Sequence, residues 1–118
     1  MSEQPYTGGC HCGAVRYEAA ADITRGVTCN CSRCSKLGWI VTFTPAANFK
    51  LLQGGENLTD YRFNKEVIRH LFCRTCGIES FALGSMPDGS PIAAINVNCL
   101  DGVDTTTLSP GRYDGASA

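Results

Sequence analysis

The chain has 118 residues, 43% of them apolar and 18% charged, which suits one globular unit with a modest core and excludes a disordered segment. Its formal charge of −1 is spread without a lysine or arginine cluster, so the basic face that a nucleic-acid binder needs is missing. No apolar run approaches the ~20 residues of a membrane helix, and no basic segment followed by an apolar run marks an export signal.

In chain order, residues 1–7 read as a loose lead-in, and Gly8-Gly9 as a tight turn into Cys10-His11-Cys12. Residues 14–19 alternate Val15, Tyr17 and Ala19 against Arg16 and Glu18, the pattern of a half-buried strand. Residues 22–26 form an irregular connection, and Val27–Cys29 a short strand leading into Cys29-Asn30-Cys31-Ser32-Arg33-Cys34. Residues 32–36 are small and polar and suit one helical turn, whose N–H groups would face the neighbouring thiols. Residues 39–44, rich in β-branched and aromatic side chains, form a strand that Pro45 ends. Phe49–Gln53 is a strand stopped by Gly54-Gly55, and residues 58–63 are another. Asn64-Lys65 is a turn into a strand at 67–72, which delivers Cys73. Residues 78–83 lead out of the Cys73/Cys76 knuckle, 86–90 have strong turn chemistry, and 92–97 are a strongly apolar strand. Beyond Asp101 the chain is small and polar, so an extended wrap or a partly disordered tail is expected. No stretch keeps a helical period for three turns and no linker divides the chain. The expectation is one all-β domain over 1–118, with a core at about 8–101 and a tail at 102–118.

Seven of the eight cysteines fall into three groups: Cys10/Cys12, Cys29/Cys31/Cys34 and Cys73/Cys76. A structural zinc takes four ligands, and Cys10, Cys12, Cys73 and Cys76 supply four. Cys29, Cys31 and Cys34 supply three, which leaves a position for water or substrate as in catalytic zinc sites. A disulfide framework is the competing reading, since eight cysteines would suit a small secreted domain. Against it stand the missing export signal and the pairs one residue apart, which are poor disulfide partners but can face one metal together. The trio also contains a C-x-x-C that could act as a redox pair. His11 reads as a bystander, because adjacent residues rarely reach one metal together. Reduced, metal-loaded thiols without an export signal point to the cytoplasm.

Gly9-Cys10-His11-Cys12-Gly13, Cys29-x-Cys31-x-x-Cys34 and Phe72-Cys73-x-x-Cys76-Gly77 together resemble the glutathione-dependent formaldehyde-activating enzyme family, whose domain centromere protein V shares. Tyr61 and Leu100-Asp101 also look like the family pattern, and the resemblance runs from about Gly8 to Asp101. It implies several coiled antiparallel sheets, similar to the Mss4-like fold. It implies a structural zinc on Cys10, Cys12, Cys73 and Cys76 and a catalytic zinc on Cys29, Cys31 and Cys34. It implies glutathione or a glutathione adduct as ligand and a carbon–sulfur lyase reaction, joining formaldehyde and glutathione as S-hydroxymethylglutathione or the reverse. Two positions depart from the pattern: Cys99, where a small residue is usual, and Glu79, where Thr or Ser is expected.

A zinc on three thiolates is a weak Lewis acid and suits a thiol ligand, whose pKa it lowers. The partner expected is therefore a small-molecule thiol or thiol adduct, with no nucleic acid and no membrane. Arg33 and Lys36 could attract a glutathione carboxylate, or be solvated surface cations. Trp39 could wall the pocket, or be a core aromatic. Cys99, on an apolar strand, is by default a small buried hydrophobe. Its other readings are a fourth ligand to the second zinc and a redox nucleophile like that of B-type methionine-sulfoxide reductases. A Cys99-based redox enzyme and a non-catalytic zinc module that binds another protein are thus the alternatives to a lyase.

Overall fold

The computed structural model describes residues 3–62 and 68–117. Ten strands and one short helix are found there. The strands are β1 (Gln4–Gly9), β2 (Arg16–Ala21), β3 (Val27–Cys29), β4 (Val41–Pro45), β5 (Phe49–Gln53), β6 (Leu58–Tyr61), β7 (Arg69–Cys73), β8 (Phe81–Ser85), β9 (Pro91–Asn96) and β10 (Gly111–Tyr113). The helix, α1, spans Ser32–Leu37 between β3 and β4. The strands form a three-stranded sheet, β1-β2-β5, and a seven-stranded sheet, β10-β3-β4-β9-β8-β7-β6. The all-β reading therefore holds.

Several segments depart from expectation. The lead-in is a strand: β1 pairs antiparallel with β2 from Gln4↔Ala21 to Gly9↔Arg16. Gly8-Gly9 is accordingly not a turn but the end of β1, and glycine is needed there for close approach. A Cβ on Gly9 would lie 2.1 Å from the Val15 carbonyl oxygen. The tail wraps as expected, but part of it is regular, because β10 pairs with β3 in parallel with Tyr113 opposite Cys29. The strand at 39–44 starts at Val41 and takes in Pro45, and the segment leading out of the second knuckle becomes a strand at Phe81. The Asn64-Lys65 turn lies outside the described residues.

Strand alternation decides which face each side chain takes. On one face of the large sheet, Leu71, Phe81, Ala93 and Ile95 meet Val15, Tyr17 and Ala19 of the small sheet, and this is the main core. Tyr17, Phe49 and Phe81 form an aromatic triangle with centroids 4.7–5.6 Å apart, each pair adding about 0.5–1.5 kcal/mol beyond its burial. The Tyr17 hydroxyl donates to the Ser80 carbonyl at 3.0 Å and so gains a partner inside that core. The opposite face carries a smaller cluster of Trp39, Val41, Ala82 and Ala94, on which Cys34 packs. Cys10 and Cys73 belong to the main core. The two cysteine groups thus lie on opposite faces of one sheet.

Candidate metal centres

The sulfurs of Cys10, Cys12, Cys73 and Cys76 lie within 4.8 Å of one another. Cys12 is 3.7 Å from Cys10 and 3.6 Å from Cys73. A tetrahedron of sulfurs each 2.3 Å from a central zinc has edges of about 3.8 Å, so the donor set and its spacing fit a zinc ion. All eight cysteines are free, which removes the disulfide framework. Two knuckles present the sulfurs. In the first, the Cys10 N–H donates to Val15 O at 3.1 Å and the Val15 N–H to Cys10 Sγ at 3.3 Å. In the second, the Gly77 N–H donates to Cys73 O at 2.7 Å and the Cys73 N–H to Ile78 O at 3.0 Å. Asn57 Nδ2 reaches Cys73 Sγ at 3.2 Å. Burial opposes ionisation of Cys73, but the N–H groups of Cys76 and Thr75 and the adjoining thiols outweigh it and draw the thiol down to about 6. His11 is exposed and does not join the four.

Cys29, Cys31 and Cys34 form the second group, again with sulfurs within 4.8 Å and all half-buried. No fourth Cys, His, Asp or Glu joins it among the described residues. β3 delivers Cys29, whose sulfur accepts the Cys31 N–H at 3.5 Å. Cys31 is the N-cap of α1, with its sulfur accepting the Cys34 N–H at 3.3 Å. A thiol thus serves where Ser or Asp usually caps. Burial raises the Cys31 thiol, yet the N–H groups of Cys34 and Arg33 and the thiols of Cys34 and Cys29 leave it below its ordinary value. Cys34 is pushed up to about 12, mainly by burial, with the Trp39 indole working against it. The Trp39 Nε1 is buried and makes no hydrogen bond among the described residues. A thiolate held at Cys34 by a metal would meet that donor, which again suits a metal at the trio.

The remaining expected residues separate. Arg33 is not a solvated cation. Its Nη2 lies 2.5 Å from Oε1 of the buried Glu79, and its guanidinium sits over Tyr61 at 4.7 Å. Lys36 is exposed and borders a cleft of ≈ 380 Å³ with Ser32, Arg33, Leu37 and Tyr61. Trp39 is 4% exposed, a core aromatic on the trio's side of the sheet. Cys99 stands outside both groups, half-buried, on a ≈ 490 Å³ cleft that also touches Cys10, Trp39 and Glu79. Burial, reinforced by Cys10, Cys76 and Glu79, pushes its thiol up to about 11.

Two features escaped sequence reasoning. One is His70, whose Nδ1 lies 3.0 Å from Glu79 Oε2. His70 and Glu79 each stand three residues outside the Cys73/Cys76 knuckle, but the ladder pairs His70 with Ala82, so no spacing in the sequence reports their meeting. The other is the brace on Asn30, which comes from the tail. The Asn30 N–H donates to Tyr113 O at 3.2 Å, its Nδ2 to Asp114 at 3.0 Å, and its Oδ1 accepts the Ala116 N–H at 2.9 Å.

The family model described as glutathione-dependent formaldehyde-activating enzyme matches residues 5–112. A crystal structure of a Rhodobacter sphaeroides protein is similar at a TM-score of 0.81 and 32% identity, covering 91% of this chain and 98% of that one. Among the described residues no helix is long and apolar enough to cross a membrane. The chain belongs to the glutathione-dependent formaldehyde-activating enzyme family.

Proposed function

We propose that the chain is a zinc-dependent carbon–sulfur lyase that takes glutathione, or a glutathione adduct, at Cys29, Cys31 and Cys34. The observation that carries this is the inequality of the two groups: four sulfurs close one site, and three leave the other with a place for a ligand. Cys10, Cys12, Cys73 and Cys76 are then structural ligands. Zinc bound at the trio would lower the pKa of an incoming thiol and hold its sulfur in the remaining position.

In the forward direction the glutathione sulfur attacks the formaldehyde carbon. A C–S bond forms, the C=O π pair moves to oxygen, and that oxygen takes up a proton to give S-hydroxymethylglutathione. The reverse breaks the same bond. The chain's own groups fix the geometry: the N–H of Cys31 and that of Cys34 hold the sulfurs of Cys29 and Cys31. Trp39 and the small apolar cluster exclude water beneath Cys34. Lys36, exposed on the neighbouring cleft with Arg33 behind it, offers a cation to a glutathione carboxylate, and Trp39 walls the site. The free thiols suit the reducing cytoplasm and a single zinc-binding domain over 1–118. A redox role for Cys99 is disfavoured, because burial holds its thiol above the ordinary value and it stands outside both cysteine groups.

Calorimetry with glutathione and S-methylglutathione at pH 6 and pH 8 tests the reading. Glutathione should bind more tightly at pH 8, since a free thiol of pKa about 8.5 gives up its proton on binding. The S-methyl analogue keeps every carboxylate and amide and should lose about 1–3 kcal/mol. Equal affinities would show that only the peptide part is recognised. Binding of neither would remove glutathione and favour a protein-binding zinc module.

A further inference from the structure

The helix that carries Cys34, with Cys31 as its cap, has little of its own to hold it in place. It is six residues long and none of them is fully buried. Isolated helices shorter than about 12 residues are marginal in water, so α1 depends on what ties it to the sheet. Its one ion pair, among the described residues, is Arg33 with Glu79.

Glu79 is built for that task. Its side chain is 1% exposed, and a carboxylate so far from water persists only when it is paired and hydrogen-bonded. Both oxygens are engaged, Oε1 by Arg33 Nη2 at 2.5 Å and Oε2 by His70 Nδ1 at 3.0 Å. Its backbone carbonyl accepts Asn96 Nδ2 at 2.9 Å. Elements β7 and β9 therefore clamp the residue, and α1 is the element it clamps in turn. His70 pairs across the β7–β8 ladder with Ala82 and so lies on the face where Cys34 packs. Tyr61 of β6 closes the far side of the Arg33 guanidinium at 4.7 Å. Arg33 falls between Cys31 and Cys34, so the position of its guanidinium constrains the turn that presents both sulfurs.

We propose that Glu79 is a positioning residue for the three-cysteine site. By holding Arg33 it sets α1 against the seven-stranded sheet, and with it the sulfurs of Cys31 and Cys34. The inference rests on the reading of the trio as a metal site. Groups that orient metal ligands from behind change metal affinity about 10–100-fold when they are lost. The four-cysteine group lies on the other face of the sheet and should not respond.

Cobalt(II) titration of the full, metal-stripped chain tests this through the thiolate-to-cobalt absorption bands. Wild type should fill two sites in two phases. In Glu79→Gln the four-cysteine phase should keep its affinity and spectrum, while the trio phase weakens about 10–100-fold and its bands shift. Arg33→Gln should do the same, and the double variant should lose no more than either single one, because one contact is broken in all three. If a single variant fails to fold, Glu79→Leu with Arg33→Met removes both charges together. The trio phase should still be weak in that variant. A trio phase of wild-type strength and spectrum in Glu79→Gln or in the apolar pair overturns the proposal. So does an equal weakening of both phases, which would make Glu79 a general stabiliser of the fold. A wild-type chain that takes up only one cobalt would instead overturn the metal reading of the trio itself.

Discussion

Replacing Cys73 with serine probes the two cysteine groups where they differ most. Cys73 is fully buried at the end of β7, and its sulfur lies 3.6 Å from that of Cys12, 61 residues earlier. A metal shared by the two closes a loop of that length. Loop-closure entropy for it is worth about 4 kcal/mol, against about 2 kcal/mol for the span from Cys29 to Cys34. For a chain of this size, 4 kcal/mol corresponds to a fall in Tm of about 15 °C. The full loop term is lost when the metal leaves with Cys73, since Cys76 would otherwise still join it to Cys10 and Cys12; the Asn57 contact to Cys73 Sγ at 3.2 Å is lost in either case. Cys31→Ser should differ in kind. Its group is local in sequence and sits on the face with the smaller apolar cluster, so by the same conversion the variant should fall by no more than about 8 °C and retain its β-sheet signal. Thermal denaturation by circular dichroism, with metal content measured on the same samples, separates the cases. A Cys73→Ser protein melting within a degree or two of wild type would refute the closed-cage argument. A Cys31→Ser protein that falls as far as Cys73→Ser, or still holds two metals per chain, would refute the distinction between the sites.

Gly54→Ala should lower the urea midpoint by the equivalent of more than about 2 kcal/mol. Gly54 has φ of 93°, and a Cβ there would lie 2.2 Å from the Ala14 carbonyl oxygen behind the first knuckle, so an unchanged midpoint would show that the turn adapts. Asp101→Asn should destabilise the protein at pH 7, because Arg16 and the Thr7 hydroxyl, which donates at 2.7 Å, hold the Asp101 carboxyl below its usual range. A depressed carboxyl contributes stability above its unfolded pKa of about 3.9 and loses that contribution as pH falls through the folded value. The gap between variant and wild type should therefore close in acid, and an undiminished gap would assign the loss to packing. Cys99 should alkylate with iodoacetamide more slowly than a free thiol at pH 8, because its burial disfavours the thiolate. Mass spectrometry showing prompt modification of Cys99 at pH 8 would revive the redox reading.

The strands that sequence reasoning places best are those whose local composition agrees with their surroundings. Val27–Cys29 and Phe49–Gln53 are found as read, because apolar or β-branched runs there end at glycines or polar turns. The strand β1 was not legible, since Gln-Pro-Tyr-Thr-Gly-Gly is poor in strand formers. It is held by its ladder to β2 and by the close approach at Gly9, both tertiary effects. The strand β10 failed to show for a related reason. Its partner is β3, and the Thr28–Gly111 contact spans 83 residues, a pairing that no local window reports.

The cysteine groups were legible because spacing is itself the signal: four sulfurs from two knuckles, and three from one turn, converge as their order suggests. The ion pair beneath the trio was not. Arg33 reads as a surface cation because it lies in a polar stretch, and Glu79 as an odd residue after a knuckle. Their meeting requires α1 to lie on one particular face of the large sheet, which follows only once the β7–β8–β9 register is known. That register also explains why the two groups differ. Leu71, Phe81 and Ile95 point with Cys73 into the main core, so the cage belongs to the larger of the two buried clusters. His70, Ala82 and Ala94 point the other way, toward a small cluster and a six-residue helix fastened, among the described residues, by one ion pair. A site proposed to admit and release a ligand thereby lies beside the smaller buried cluster, where movement disturbs fewer buried side chains, and the group proposed to be structural lies in the larger one.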